Sequence, residues 1–308
     1  MPQAARPTDP TAHGDPLDPG PGSDNVTSAG KKQWRVGSDS HLCKHPTSDA
    51  TEICKLGSLT VRVNGKMAVR MGDLLTGAGA PNTVAKGAAT VLIGDLAQGL
   101  WNPANAAEFC KAMCDLKKNW AKMTPAERQA ALGKAVNDQL AKSGVPPVGI
   151  NPKSFASASR LGELDFQNWN LDVNQNLFNK ASLTDADMSQ LGNTVYHEAR
   201  HAEQWYGMAQ YNANSAGSAG ALASGMSIPQ NVADSAFANP TTAGSYGDTF
   251  GGAMYQSVYG ADGSYRNGVL NGLGQSPQPP NAYQQYRALP EERDAWRTGD
   301  TMGSCKCK

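Results

Sequence analysis

The segment that most restricts this chain is Tyr196-His197-Glu198-Ala199-Arg200-His201-Ala202-Glu203-Gln204-Trp205. Two histidines four positions apart share a face only on an α-helix, where residues i and i+4 stand one above the other. On such a helix His197 and His201 can aim both imidazoles at one metal ion. Glu198 then stands beside that face, where it can take a proton from a water held at the metal. The preceding run supports a helix. Thr184 suits an N-cap, Asp187 stands three residues on, and Met188, Leu191 and Val195 follow at helical spacing. The competing reading is an exposed polar helix with two incidental histidines.

A two-histidine helix needs a third protein ligand, with a fourth position open for water. Tyr286-Arg287-Ala288-Leu289-Pro290-Glu291-Glu292-Arg293-Asp294-Ala295-Trp296 offers one. Pro290 suits the first turn of a second helix, and acidic residues suit its positive end. Glu292 is the expected ligand, with Glu291 the runner-up and Asp294 a partner that orients a ligand histidine.

The chain has 308 residues, enough for two domains, and equal numbers of basic and acidic side chains, 27 each. A balanced charge offers no electrostatic case for nucleic acid or an anionic membrane. No window approaches eighteen consecutive apolar residues, so no membrane span is expected. The Met1-Pro2-Gln3-Ala4-Ala5-Arg6-Pro7 start lacks the apolar core of a secretory leader.

Residues 1–98 are rich in Gly, Pro and short β-like runs. They hold an internal repeat. Gly30-Lys31 with Arg35-Val36-Gly37 and Asp39 returns as Gly65-Lys66 with Arg70-Met71-Gly72-Asp73. A third, partial copy runs from Gly87 through Thr90-Val91-Leu92-Ile93-Gly94-Asp95. Repeated short strands with glycine turns suggest a stacked β structure. With few large apolar residues, such a module needs a staple. His13, His41 and Cys43, completed by Cys54 or His45, are suitable tetrahedral zinc ligands.

Asp9-Pro10-Thr11-Ala12-His13-Gly14, Pro19-Gly20-Pro21-Gly22-Ser23, Trp34-Arg35-Val36-Gly37, Asn64-Gly65-Lys66, Arg70-Met71-Gly72-Asp73 and Thr90-Val91-Leu92-Ile93-Gly94 together resemble a PAAR-repeat domain. The resemblance implies an all-β cone with a structural zinc near its point, held by three His and one Cys. It implies a cone that caps the spike of the bacterial type VI secretion machine and docks its base on the trimeric spike protein.

Beyond residue 98 the pattern turns helical. Stretches 104–122 and 125–142 are expected helices, a linker over 99–145, and Thr124-Pro125-Ala126-Glu127 is a capping box. Residues 162–174 alternate apolar and polar with one slip at Gln167-Asn168, which reads as a bulged strand or a tight hairpin. An edge strand above the metal could pair with an extended peptide. Tyr246, Tyr255, Tyr265 and Tyr286 are candidates to stabilise an oxyanion. Cys110 and Cys114, four apart on an expected helix, are matched by Cys305 and Cys307 at the tail. The tail is expected to fold back and form disulfides with that helix, free thiols being the alternative.

The His197-Glu198-Ala199-Arg200-His201 and Leu289-Pro290-Glu291-Glu292-Arg293-Asp294-Ala295-Trp296 motifs also resemble the zinc-metallopeptidase toxin domains attached to secretion modules. The expectation is therefore an α+β, mostly helical, zincin-like domain over 99–308 behind the tip domain. Two zinc ions are expected, one catalytic and one structural. The chain would be a type VI effector made in the bacterial cytoplasm. It would be delivered without a leader into the periplasm or cytoplasm of a target cell, cut peptide bonds there, and be held in check by an immunity protein. The alternatives are a non-enzymatic tip that carries another effector and a zinc amidase acting on peptidoglycan.

Overall fold

A computed structural model of the protein describes residues 2–46, 48–54, 57–58, 60–77, 82–93, 99–157, 160–260, 263–279 and 281–307. The Gly94-Asp95 end of the third repeat copy and the expected boundary at 98 lie outside the described residues. The chain divides into two compact units, Met1–Leu96 with Ala261–Pro290, and Ala97–Gly260 with Glu291–Lys308.

The first unit is built from short strands: β1 (Gln3–Ala4), β2 (Thr27–Ser28), β3 (Lys31–Lys32), β4 (Ser40–His45), β5 (Ser48–Cys54), β6 (Arg62–Val63), β7 (Lys66–Met67), β8 (Leu74–Thr76), β9 (Asn82–Thr83) and β10 (Ala88–Leu92). The largest sheet is antiparallel and runs β4-β5-β8-β9; the other strands pair two by two. Its core is small: Ala5, Leu17, Trp34, Cys54, Val69, Leu75 and Val84 form one buried cluster.

What the repeat encodes is an arginine–aspartate clamp. In Arg35–Asp39 and Arg70–Asp73 the backbone N–H and the guanidinium of one arginine both donate to one carboxylate, with Nη2···Oδ1 at 3.0 and 3.1 Å. The third clamp is at the start of the chain, Arg6–Asp9, with Nη2···Oδ1 at 2.7 Å. Two parallel charge-assisted bonds fix a turn that has little apolar material to hold it. The sequence repeat marks the Arg35 and Arg70 clamps, and the Arg6–Asp9 clamp lies outside it.

The second unit is mainly helical. Its elements are α1 (Pro103–Asn119), α2 (Pro125–Leu140), β11 (Gly149–Lys153), β12 (Gly162–Asp165), β13 (Asn170–Asn174), α3 (Gln175–Phe178), α4 (Asp185–Ala213), α5 (Ala219–Met226), α6 (Gln230–Ala238) and α7 (Tyr246–Val258). Two further helices, α8 (Gly263–Leu273) and α9 (Ala282–Ala288), belong to the first unit, and α10 (Pro290–Gly299) returns the chain to the second. Capping boxes start α2 at Thr124/Glu127 and α4 at Thr184/Asp187, so each first turn satisfies its own orphan donors. The sheet runs β11-β13-β12, with β11 parallel and β12 antiparallel to the central strand, so β12 is an edge. The 162–174 stretch is therefore a hairpin, its turn closing at Trp169 with φ 56°.

Helix α4 is the centre of this unit. α1, α2, α5, α6, α7, the hairpin and the tail all pack on it. Residues 194–209 are buried without a break. A helix buried on all sides is ordinarily apolar. This one carries His, Glu, Arg and Gln, so its interior must be a polar network, and the reading of an exposed helix with incidental histidines is excluded.

The fold-class expectation is corrected by this architecture. The chain has an N-terminal β region of small sheets and a helical C-terminal half, and neither a spike-tip cone nor a zincin fold is identified in it. The motifs that suggested both folds specify glycine turns, strand ends and one helix face. They do not specify how β4, β5, β8 and β9 pair, or that β11, β13 and β12 form the sheet beside α4. Among the described residues no helix is long and apolar enough to cross a membrane.

Candidate metal centre

His197, His201 and Glu292 meet in the second unit. Nε2 of His197 lies 3.2 Å from Nε2 of His201. One Glu292 oxygen is 3.7 Å from His197 Nε2 and the other 3.5 Å from His201 Nε2. Ligands bound about 2.0–2.1 Å from a tetrahedral zinc ion stand about 3.3 Å from one another, so these separations are those of a ligand set. The residues present fit a metal of this kind.

Local structure explains the convergence. The histidines are one turn apart on α4. On α10, Glu292, Trp296 and Gly299 fall at helical spacing and form one face. That face meets α4. The Trp296 ring packs edge-on against His197 at 4.7 Å. A Cβ on Gly299 would stand 3.0 Å from His197 Cβ and 3.1 Å from Asn193 O, so a side chain there would push the two helices apart. Glu291, one position earlier, faces elsewhere and accepts a hydrogen bond from Ser257 Oγ at 2.8 Å.

Glu198 is buried beside the histidines. Burial pushes its carboxyl up to about 7, opposed by the His201 charge and helped by Glu292, while the backbone N–H of Leu164 donates to the carboxylate. Leu164 is on the edge strand β12. The approach is close because Gly162 lacks a side chain: a Cβ there would come within 2.7 Å of Thr194 Cγ2 and 3.2 Å of Glu198 Cγ.

Behind the histidines lies a network that sequence reasoning missed in part. His201 Nδ1 pairs with Gln204 Oε1 at 2.8 Å. Gln204 is fixed in turn, since its amide donates to Glu291 O at 2.9 Å and to Asp294 Oδ2 at 2.8 Å. With Gln204 Oε1 accepting, His201 carries its proton on Nδ1 and presents the Nε2 lone pair forward. Asp294, expected to orient a histidine, therefore does so through Gln204. It also binds Arg200, whose Nε donates to Asp294 Oδ2 at 2.6 Å and whose other arm reaches Glu203. Glu203 accepts from the N–H of Leu100 at 3.2 Å. The signal for Gln204 was present: it stands three residues after His201, on the same face. Burial opposes charge on His201, but Glu292, Glu198 and Gln204 together outweigh it and raise the ring to about 9. A metal must then displace that proton, and its affinity rises with pH.

Replacing Gln204 with Met keeps the volume and removes the bond to His201 Nδ1. We expect metal affinity to fall ~10–100-fold, the usual cost of losing an outer partner of a ligand histidine, measured by competition with a chromogenic chelator. Unchanged affinity would show that Gln204 does not orient the ring.

Two of the four tyrosines considered for an oxyanion are in this unit. The Tyr246 hydroxyl is buried, its pKa pushed up to about 12 by desolvation against the Arg200 charge, and so sits by the outer network. Tyr255 stacks on Tyr259 at 5.5 Å. Tyr265 and Tyr286 fall in the first unit.

In the first unit, His41, Cys43 and His45 alternate along β4 and so share one face of the strand. Ligand atoms of His13, Cys43 and Glu52, and of Asp15, His41 and Cys43, lie within 4.8 Å of one another in each group. His13 Nδ1 is 3.4 Å from Cys43 Sγ. Among the described residues neither ring nitrogen of fully buried His41 has a hydrogen-bond partner; Nε2 is 3.9 Å from Glu52 Oε2. Buried ring nitrogens left this way cost free energy that a cation would recover. His13, His41 and Cys43 thus gather with Glu52 and Asp15 as a candidate cation site. Cys54 lies in the apolar cluster with Leu17 and Trp34, and His45 stacks on His13 at 4.7 Å.

The two disulfides join Cys110 to Cys305 and Cys114 to Cys307, so the tail that follows α10 is bound to α1. Compared with protein-family models, curated proteins and solved structures, the chain finds no match.

Proposed function

We propose that the second unit is a zinc-dependent hydrolase of peptide bonds. One observation carries this: two imidazole Nε2 atoms and a carboxylate converge at 3.2–3.7 Å on a buried helix, with Glu198 adjacent. The ion, when bound, would polarise a carbonyl and make water nucleophilic near neutral pH. Glu198 would accept the proton that water gives up and pass it to the leaving amine. His197, His201 and Glu292 would supply three donors, and Gln204 would hold the tautomer of His201. The edge strand β12 favours an extended peptide as substrate, because its outer backbone groups can continue the sheet. That edge runs directly beside Glu198, which favours peptide hydrolysis over amidase action on peptidoglycan.

The test is metal content together with digestion of a protein mixture and of purified peptidoglycan, before and after chelation. Proteolysis that disappears on chelation and returns with zinc is the expected result. Proteolysis indifferent to chelation would end the metal reading, and cleavage of peptidoglycan alone would assign the amidase.

We also propose, on the N-terminal motifs, that the first unit docks on the trimeric spike of a type VI machine. The hydrolase would thus leave the producing bacterium for a target cell, with an immunity protein guarding the producer. Co-purification of the whole chain with a spike trimer checks this, and its absence would remove the delivery role.

A further inference from the structure

Four cysteine sulfurs meet where the tail joins α1. Cys110 and Cys114 stand one helical turn apart. Cys305 and Cys307 are separated by Lys306. The sulfurs of Cys110, Cys114 and Cys305 all lie within 4.8 Å of one another, and that of Cys307 is bonded to Cys114. Four thiolates at about 2.3 Å from a tetrahedral zinc ion stand about 3.8 Å apart. The sulfurs of Cys110, Cys114 and Cys305 already stand near that spacing, and the Cys307 sulfur, carried beside Cys114, has to close in on the other two once its bridge opens. The spacings, three residues between one pair and one between the other, bring all four donors from two short segments. Lys111 and Lys306 are the next residues along the chain to Cys110 and Cys305, and neighbouring cations favour thiolate over thiol.

We propose that Cys110, Cys114, Cys305 and Cys307 have a second chemical state, a closed tetrathiolate zinc site formed when the disulfides are reduced. Reduction of the two bridges takes four electrons and four protons, supplied by a thiol reductant, and yields four thiols. Zinc then binds with release of those four protons. In the reverse direction, two molecules of a small disulfide oxidise the four thiolates to the two bridges by thiol–disulfide exchange. They leave as four thiolates, and Zn²⁺ is set free. The tail is tied to α1 in both states, so α10 and Glu292 stay in place under reducing and oxidising conditions alike. This staple is separate from the site at His197 and does not depend on the hydrolase reading.

The test uses the whole chain, stripped of metal and reduced with a phosphine, and titrated with Co²⁺. The expected result is thiolate-to-cobalt charge-transfer absorption that survives Cys43→Ser and is lost when Cys305→Ser and Cys307→Ser are added to that variant. It should be absent from the oxidised Cys43→Ser chain, which serves as the comparison should the triple variant fail to fold. Zinc should displace the cobalt, and oxidised glutathione should then release one zinc per chain as the bridges re-form. A reduced chain whose only thiolate band vanishes with Cys43→Ser would overturn the proposal. So would a band of equal strength in the oxidised Cys43→Ser chain, or zinc that stays bound after the bridges have re-formed.

Discussion

Glu198→Gln is expected to lower peptide hydrolysis by ~10²–10⁴-fold, the range that a positioned proton-transfer group contributes, while zinc content stays at the wild-type level. The two halves of this result have separate causes. Metal retention follows because the ligand atoms come from His197, His201 and Glu292, and glutamine has the same shape as glutamate in the buried slot beside Gly162. The amide oxygen can still accept the Leu164 N–H, so the contact with β12 survives. Loss of activity follows because an amide cannot take a proton from water. Glu292→Gln is expected to show the opposite order: it weakens the charge that faces both imidazoles, so zinc is lost first and activity with it. Metal analysis and initial rates on the same preparations separate the two. A zinc-loaded Glu198→Gln chain with wild-type turnover would remove Glu198 from the chemistry and leave the convergence as a structural site.

How much of this was legible in the sequence depends on the range of the interaction. Thr184 with Asp187 and Thr124 with Glu127 act across one helical turn, and they announce α4 and α2 without reference to the rest of the chain. Pro290 and the acidic pair after it mark the start of α10 for the same reason. The face of a helix is also a local property, and it is why Glu292 and not Glu291 meets the histidines. The pairing of Cys110 and Cys114 with the tail was legible because few partners existed. The larger arrangement was not. Hydrogen-bonded sheet order is set by contacts between segments far apart, and glycine turns are compatible with many such orders. A cone and a zincin were therefore more than the motifs could specify. The Arg6–Asp9 clamp escaped because it lacks the glycine-lysine prelude of the other two copies. Glu52 joined the N-terminal cluster through strand pairing, since His41 stands directly across from it in the β4–β5 ladder, and Asp15 through the Lys44 N–H that it accepts, relations that residue spacing does not display.

Removing both disulfides by Cys→Ser replacement is expected to destabilise the second unit far more than removing either alone. In the chain-entropy account, the first bridge closes a loop across 195 positions and contributes about 5 kcal/mol. Once that bridge exists, the other closes a ring of only about eight residues, four positions apart on α1 and two apart in the tail, worth about 2.5 kcal/mol. The order of closure does not matter, because either bridge can be the long one. Each single pair, Cys110→Ser/Cys305→Ser or Cys114→Ser/Cys307→Ser, should therefore cost about 2.5 kcal/mol, and the two pairs together about 8 kcal/mol. The excess over additivity, about 3 kcal/mol, is the signature of two bridges sharing one long loop. Native-state hydrogen exchange at the amides of α4 reads the second unit without interference from the first. The same variants carry a functional consequence. Without either bridge, the segment that supplies Glu292 loses its covalent tie to α1 and keeps only its packing and hydrogen bonds, so zinc should be released at a lower temperature in the quadruple variant than in the two double variants. If each single pair costs as much as both together, chain entropy is not the source of the stabilisation, and the tail must be held by the contacts around one bridge alone.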